Sequence, residues 1–501
     1  MADITYNQCD ELIRLGQIPQ AEQLIRQRIM KPLSRNDRLQ YSNLSRRAGI
    51  PMVALKLLQP LVRPTDSKFI TNPLDTEKAS YAGSLINIGI HFEAIELLNS
   101  IKNDNLPEAW LFRAFSYFAD WNYKCAIPIL KKYLSLSISE YQYVIGLLNL
   151  LSAHIFCGHT RIADQLIKET SQRIIKNNSK HNIVANKLFE LKIQNFIAKK
   201  DFNSAKKLIL SNENPYYLKG LVSTISMTAL PIHLQKWYWV IEMHLNGPTT
   251  ELVINFQQLK DLAIFHQDCE SLRELEFYFA LLTENKNWMQ NIYFGTRSKY
   301  YQQKIQNQTP WRIRHLSETI NYREAKTNIG NLIVNTGYWN DMKLYKQGST
   351  MARLLQILTS DHYKPASIGT LFNGIYSDEH FDSFHSLHRL KMTILRANQI
   401  FKDNNIPLRI KKTGYTFHLL GDVNIKTSNL VKPKNVLQGY LLQLMIHFKT
   451  SNFSSKQAQN ILNLSPNRVT EIIRYGLNKN YLKKTGRYKT TQYLFSNSVS
   501  F

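Results

Sequence analysis

The chain has 501 residues, 44% apolar and 20% charged, with a formal net charge of +26 and a pI near 9.7. That length exceeds one hydrophobic core and points to two to four domains, while the apolar fraction excludes a largely disordered protein. Charge this far from zero points to a polyanionic partner, and its placement sharpens the point: residues 383–501 hold 19 Lys or Arg against three acids (Asp403, Asp422, Glu471), a surplus of 16 in 119 residues.

The N-terminus, MADITYNQCDEL, has neither a basic n-region nor an apolar h-region, so no signal peptide is expected. Cys9, Cys125, Cys157 and Cys269 show no CxxC or Cys/His spacing, which argues against a disulfide framework or a zinc site. The most apolar stretch, Val144 to Phe156, is broken by Asn149, Ser152 and His154 and is too short to span a bilayer. The expectation is a soluble cytoplasmic protein with no membrane partner.

Residues 1–215 contain an internal repeat. In GQIPQA, GIPMVA, GIHFEA and GHTRIA a Gly (Gly16, Gly49, Gly89, Gly158) stands five residues before an Ala (Ala21, Ala54, Ala94, Ala163). WNYKCA and KDFNSA keep the spacing to Ala126 and Ala205 without the Gly, and successive alanines lie 33, 40, 32, 37 and 42 residues apart. Apolar helical patterns flank each unit, so Gly ends one helix and Ala lets the next approach it closely. This stretch resembles the tetratricopeptide-repeat family, whose irregular relative here implies a divergent α-solenoid. The resemblance implies a concave face for a protein or peptide ligand, or a spacer or dimerisation body.

From 216 to 330 apolar periodicity continues without a clear repeat. Trp237-Tyr238-Trp239 and Phe277-Tyr278-Phe279 read as core clusters in preference to a ligand cage. In TPWRIRHLSETI, Thr309 is a candidate N-cap with Pro310 at the first helical position, predicting a helix into the next domain with Arg312 and Arg314 solvated.

From 331 to 422 the order is short strands (LIVNTG, MKLYKQG), a helix at STMARLLQILTSD, and a helix at KPASIGTLFNGIY with Ile368, Leu371, Phe372 and Ile375 inward. A third helix is predicted from Ser383, with Phe384, Leu387, Leu390, Ile394 and Leu395 inward and His385, His388, Arg389, Lys391 and Arg396 outward. IPLRIKKTGYTFHLL then forms two strands around a basic tip. This region resembles the DNA-binding effector domain of OmpR/PhoB-type regulators, through Leu387-His388-Arg389-Leu390-Lys391 and Ile410-Lys411-Lys412-Thr413-Gly414-Tyr415. Lys391 stands where that family has Arg, and Lys412 where it has the first Gly of the wing. The resemblance implies that Ser383, His385, Ser386, His388, Arg389 and Lys391 enter the major groove of double-stranded DNA. It places Lys411 at the minor groove and Lys412 against the backbone. The family's phosphoreceiver domain is not visible. A metal site at His380, His385 and His388 is set aside, since no carboxylate or thiolate completes it.

DVNIKTSNLVKPKN, residues 422–435, reads as a polar linker (423–435) allowing independent docking. Residues 436–501 give three helical patterns and a basic hairpin, Tyr481 to Lys483 and Thr491 to Phe495, which resembles a second winged helix. Asn467, Arg468 and Arg474 are placed to face DNA, with Lys483, Lys484, Arg487 and Lys489 on the wing, although winged helices also contact proteins.

The expected fold is therefore mainly α: a TPR-like α-solenoid (1–215), a helical continuation (216–330), and two winged-helix (α+β) domains (331–422 and 436–501) joined by a linker (423–435). The expected function is a bacterial, nucleoid-associated, sequence-specific transcriptional regulator. The alternative is an assembly scaffold resembling PCI-type proteins, which end helical repeats in a winged helix. No P-loop, HExxH, GxSxG or dinucleotide fingerprint is present, so no catalysis and no cofactor are expected.

Overall fold

The computed structural model describes residues 5–64, 72–176, 182–211, 214, 230–266, 268–310, 319–323, 330–377, 379–428, 435–448, 451–486 and 491–496. Among these, 23 helices and ten short strands make the protein mainly helical. No described helix is long and apolar enough to cross a membrane. The chain divides into two compact units, Met1–Arg312 with His380–Ser386, and Ile313–Glu379 with Leu387–Phe501.

The first unit is a run of helix hairpins. They are α1 (Tyr6–Arg14) with α2 (Ile18–Ile29), α3 (Arg35–Arg47) with α4 (Pro51–Val62), and α5 (Asp75–Asn87) with α6 (His91–Asn99). Next come α7 (Pro107–Ala119) with α8 (Tyr123–Leu134), α9 (Glu140–Phe156) with α10 (Thr160–Lys176), and α11 (Asn182–Ala198) with α12 (Phe202–Ile209). The turn chemistry anticipated from Gly is present at all six: Gly16, Gly49, Gly89 and Gly158 have φ of 75–87°, and Trp121 and Lys200 adopt the same left-handed backbone at 60° and 62°. The following N–H returns to the carbonyl five residues back, as in Gln17 to Leu12 and Asn122 to Tyr117 at 2.9 Å, closing a Schellman motif. Ala21, Ala54, Ala94, Ala126, Ala163 and Ala205 are all fully buried where the paired helices meet.

The pattern extends past residue 215 with different residues. α13 (Ile232–Asn246) and α14 (Thr250–Phe265) turn at Gly247, φ 72°, with Leu252 buried five residues on. α15 (Cys269–Leu282) and α16 (Lys286–Gly295) turn at Glu284, φ 52°, with the Asn285 N–H on Ala280 and Met289 fully buried. Helices opening neighbouring hairpins also pack on one another, as α3 on α5 and α13 on α15. Between hairpins, Arg35 forks onto Glu77 at 2.6 and 2.8 Å. Trp237, Trp239, Phe277 and Tyr278 are buried, as core residues should be.

The unit's final helix is α17 (Lys299–Gln308), and here the expected N-cap is corrected. Thr309 ends α17, its hydroxyl donating to the Ile305 carbonyl at 2.9 Å, because Pro310 lacks the N–H that continuation needs. Residues 311–318 lie outside the described residues, and Thr319–Arg323 is a strand, β1, rather than helix.

In the second unit, β2 (Asn331–Ile333), β3 (Tyr338–Trp339) and β4 (Met342–Lys343) join β1 and β8 (Asn424–Ser428) in the order β1-β8-β2-β3-β4. The reading of 423–435 as linker is corrected at this point. Val423, Ile425 and Thr427 alternate into the core, and the stretch pairs antiparallel with β1 and parallel with β2. Residues 429–434 lie outside the described residues.

α18 (Thr350–Leu358) is capped by the Ser349 hydroxyl, and α19 (Ile368–Ile375) by that of Ser367, with Ile368, Leu371, Phe372 and Ile375 buried. α20 (Ser386–Asp403) leads to β6 (Leu408–Thr413) and β7 (Thr416–Gly421). The unanticipated β5 (Ala366–Ser367) completes a sheet in the order β5-β7-β6. Beyond it are α21 (Val436–Phe448), α22 (Ser455–Leu462) and α23 (Pro466–Asn478), then the hairpin β9 (Leu482–Thr485) and β10 (Gln492–Phe495). Leu441, Phe453, Val469 and Ile472 centre their shared core.

Independent docking of the two helix–hairpin groups is also corrected. A Cβ at Gly348, φ 70°, would stand 2.0 Å from the Asn435 carbonyl oxygen, and one at Gly439 would stand 2.7 Å from that of Gln347. The turn before α18 and the start of α21 therefore meet backbone to backbone.

Candidate nucleic-acid interface

α20 starts three residues later than its apolar spacing suggests. Asp382 accepts from the Phe384 and His385 N–H groups at 2.7 and 3.1 Å, and Ser386 Oγ accepts from the Asp382 N–H at 2.9 Å, so a polar turn precedes the first helical residue. Burial alone would raise the Asp382 carboxyl, but these N–H donors and His385 outweigh it and lower it. The inward stripe is Leu390, Ile394, Ala397 and Phe401. Phe384 and Leu395, expected inside, are each 50% exposed: Phe384 precedes the first helical residue, and Leu395 lies about 100° round the helix from Ile394, off the buried stripe.

The predicted groove residues separate. Ser383 and Ser386 are buried with the first unit, where the Ser383 N–H donates to Gln59 Oε1 at 2.7 Å and the nearby Phe381 N–H donates to Glu93 Oε1 at 2.9 Å. Their expected place on a DNA-facing surface is corrected: in this conformation both are inaccessible to a phosphate. His385 is exposed beside Asp382, and His380 stands 3.5 Å from Glu93. His388, Arg389 and Lys391 are exposed on the first turns of α20, along with Arg396.

Arg389 is already engaged. It forks onto Glu379, with Nη2 to Oε1 at 2.9 Å, and its guanidinium lies 4.2 Å from the Tyr376 ring centroid. The hydrogen bond to Arg389 lowers the Glu379 carboxyl and raises the guanidinium in turn.

The hairpin is locked to α20 by Asn398, which donates to the Ile410 carbonyl at 3.1 Å and accepts from the Ile410 N–H at 2.7 Å. Alternation buries Leu408 and Ile410 and exposes Arg409 and Lys411 on the outer face. Lys412 shares the inner face yet is exposed, because there the hairpin runs past the core. The turn is two residues, with Thr413 paired to Thr416 and Gly414 at φ 57° supplying the backbone that a tight hairpin needs. Arg409 was missed as a candidate, although its alternation with Leu408 and Ile410 was the signal.

In the second group Asn467 and Arg474 are exposed on α23, and Arg468 pairs with Glu471. Lys483 and Lys484 are exposed on β9; Arg487 and Lys489 lie outside the described residues. Among the described residues no cluster of His, Cys, Asp and Glu could hold a metal ion. What the exposed set can do is donate charge-assisted hydrogen bonds to an anion from a helix and a hairpin held rigidly together. No family model matches the chain, and no curated protein matches it.

Proposed function

We propose that the chain is a non-catalytic, sequence-specific DNA-binding regulator. Its first unit reads as a TPR-like α-solenoid and its second as two winged-helix groups, the first of OmpR/PhoB type. The observation that carries this reading is the rigid pairing of α20 with the β6–β7 hairpin through Asn398, presenting His388, Lys391, Arg409, Lys411 and Lys412 to solvent. A helix end fits the major groove, and a basic hairpin beside it reaches the flanking backbone. Lys484, Arg474 and Asn467 on α23 and β9 offer the same chemistry a second time. Selection of bound duplexes from a randomised pool tests the proposal: enrichment of one sequence motif supports it, and an unenriched pool contradicts it.

An assembly scaffold is the second reading. It is favoured by Met392 and Leu395, 40% and 50% exposed on the outward side of α20, where an apolar contact suits a protein better than a phosphate. Migration as a hetero-complex indifferent to added duplex supports that reading.

A further inference from the structure

The first unit holds a half-open cavity of about 760 Å³ between α9, α11, α13, α15 and α17, within the size range of small-molecule sites. Its apolar walls are aromatic, with Tyr123, Phe156, Phe202, Trp237, Tyr278 and Tyr300 contributing. Its lining carries four lysines (Lys187, Lys200, Lys236 and Lys304) and four acids (Glu190, Asp268, Glu270 and Glu274), three of the acids being already engaged. Glu190 is taken by Lys187 at 3.0 Å, and Glu274 by Lys304 at 3.1 Å. Lys236, only 4% exposed, also lines the cavity, and its ammonium has no hydrogen bond and no carboxylate within 4 Å among the described residues. The ammonium stands 4.3 Å from the centroid of the Trp237 ring.

Among the described residues, three further donor atoms on two side chains are unsatisfied nearby. The buried Trp237 Nε1–H has no acceptor. Arg273, 1% exposed between Trp121 and Tyr301 at 3.8 and 4.0 Å, has Nε and Nη2 without partners. Burial raises the Glu274 carboxyl, but Lys304, Arg273 and Lys236 together outweigh it and lower it, so both cavity acids count as charges. Asp268, which caps α15 by accepting from the Ser271 N–H, stands at the rim with the exposed Glu270 and Lys200. Lys236 thus feels Glu190 and Glu274 only at longer range, and a ligand carboxylate gives its ammonium the hydrogen-bonded partner that the described residues do not supply.

We propose that this cavity binds a small ligand with a carboxylate on an apolar or aromatic body. The carboxylate pairs with Lys236 and accepts from Trp237 Nε1, and the body lies against Tyr123 and Tyr278. The site takes a ligand whether or not the second unit binds DNA, so its test contains no DNA. Trp237 and Tyr278, expected as core alone, then serve as both core and wall.

The test is native mass spectrometry of the full chain incubated with three probes: a randomised tripeptide pool with free carboxylates, the same pool amidated, and a panel of ω-phenylalkanoic acids. Retention from either acid set, at least about tenfold above the amidated pool, is expected, since a charge-assisted hydrogen bond is worth about that factor. Which acid set is retained identifies a peptide or a non-peptide source. Lys236→Met abolishes retention and leaves the Tm of the unliganded chain unchanged, because Lys236 makes no hydrogen bond and no ion pair within 4 Å among the described residues. Retention of neither acid set, or of amides equally, overturns the proposal. So does a Lys236→Met chain that still binds, or one that melts lower or fails to fold, since Lys236 is then part of a structural charge network.

Discussion

Arg389 forks onto Glu379 with Nη2 to Oε1 at 2.9 Å while its guanidinium lies over Tyr376, so the arginine at the start of α20 is satisfied within the chain itself. Glu379 and a phosphate present the same chemistry to that fork, so under the proposed DNA-binding function the two compete for it.

Glu379→Gln weakens this internal pair. Because the pair is exposed, its strength is modest, and DNA affinity is expected to rise by about two- to fivefold. Fluorescence polarisation with one selected duplex measures it. An unchanged or lower affinity would place Arg389 outside the interface.

Glu284 holds a left-handed backbone where five other hairpins turn at a positive-φ Gly. Glu284→Gly is expected to stabilise the first unit by about 0.5–1 kcal/mol, and Gly158→Ala to destabilise it by about 1 kcal/mol. Nothing lies within 4 Å of a Cβ at Gly158, so that cost is conformational alone. Chemical denaturation of both variants checks the opposite signs.

Gly348→Ala drives a methyl group into the Asn435 carbonyl in addition to straining φ. Loss of about 2 kcal/mol or more is expected in the second unit, with hydrogen exchange rising in α18 and α21 together. Faster exchange in α18 alone would show that the backbone contact does not couple them.

Acid should weaken the join between the second and third hairpins. Burial raises the Glu77 carboxyl, but the hydrogen bonds from Arg35 and the Leu74 N–H outweigh it and lower it. A carboxyl lowered on folding contributes stability that is fully present above its unfolded value of about 4.3 and is lost as pH falls through the folded value. Thermal melts from pH 5.5 downward should show this loss, and Glu77→Gln should flatten the slope in that window.

The hairpins were readable in the sequence where the turn demanded Gly and close packing demanded Ala. The seventh and eighth were not, because Leu252 and Met289 occupy the Ala position and Glu284 takes a backbone usually left to Gly or Asn. The α20–hairpin order was readable from spacing and from Gly414. The start of α20 was not, since Asp382 and Ser386 make a cap that apolar periodicity does not report. β8 was hidden by its polar outer face: Asn424 and Lys426 read as linker, although Val423, Ile425 and Thr427 alternate inward. Lys236 was invisible as a site residue, because only the fold shows that its counter-charges are taken by Lys187 and Lys304.

If α20 and the β6–β7 hairpin hold DNA phosphates and bases as proposed, the salt dependence of binding shows it. The full chain and a Lys391→Ala/Lys411→Ala variant are titrated against a selected duplex from 50 to 300 mM salt. A steep linear fall of log affinity with log salt is expected, with a slope shallower by roughly one to two units in the double variant. Binding no tighter than to an unrelated duplex, or an identical slope and affinity in the variant, contradicts it.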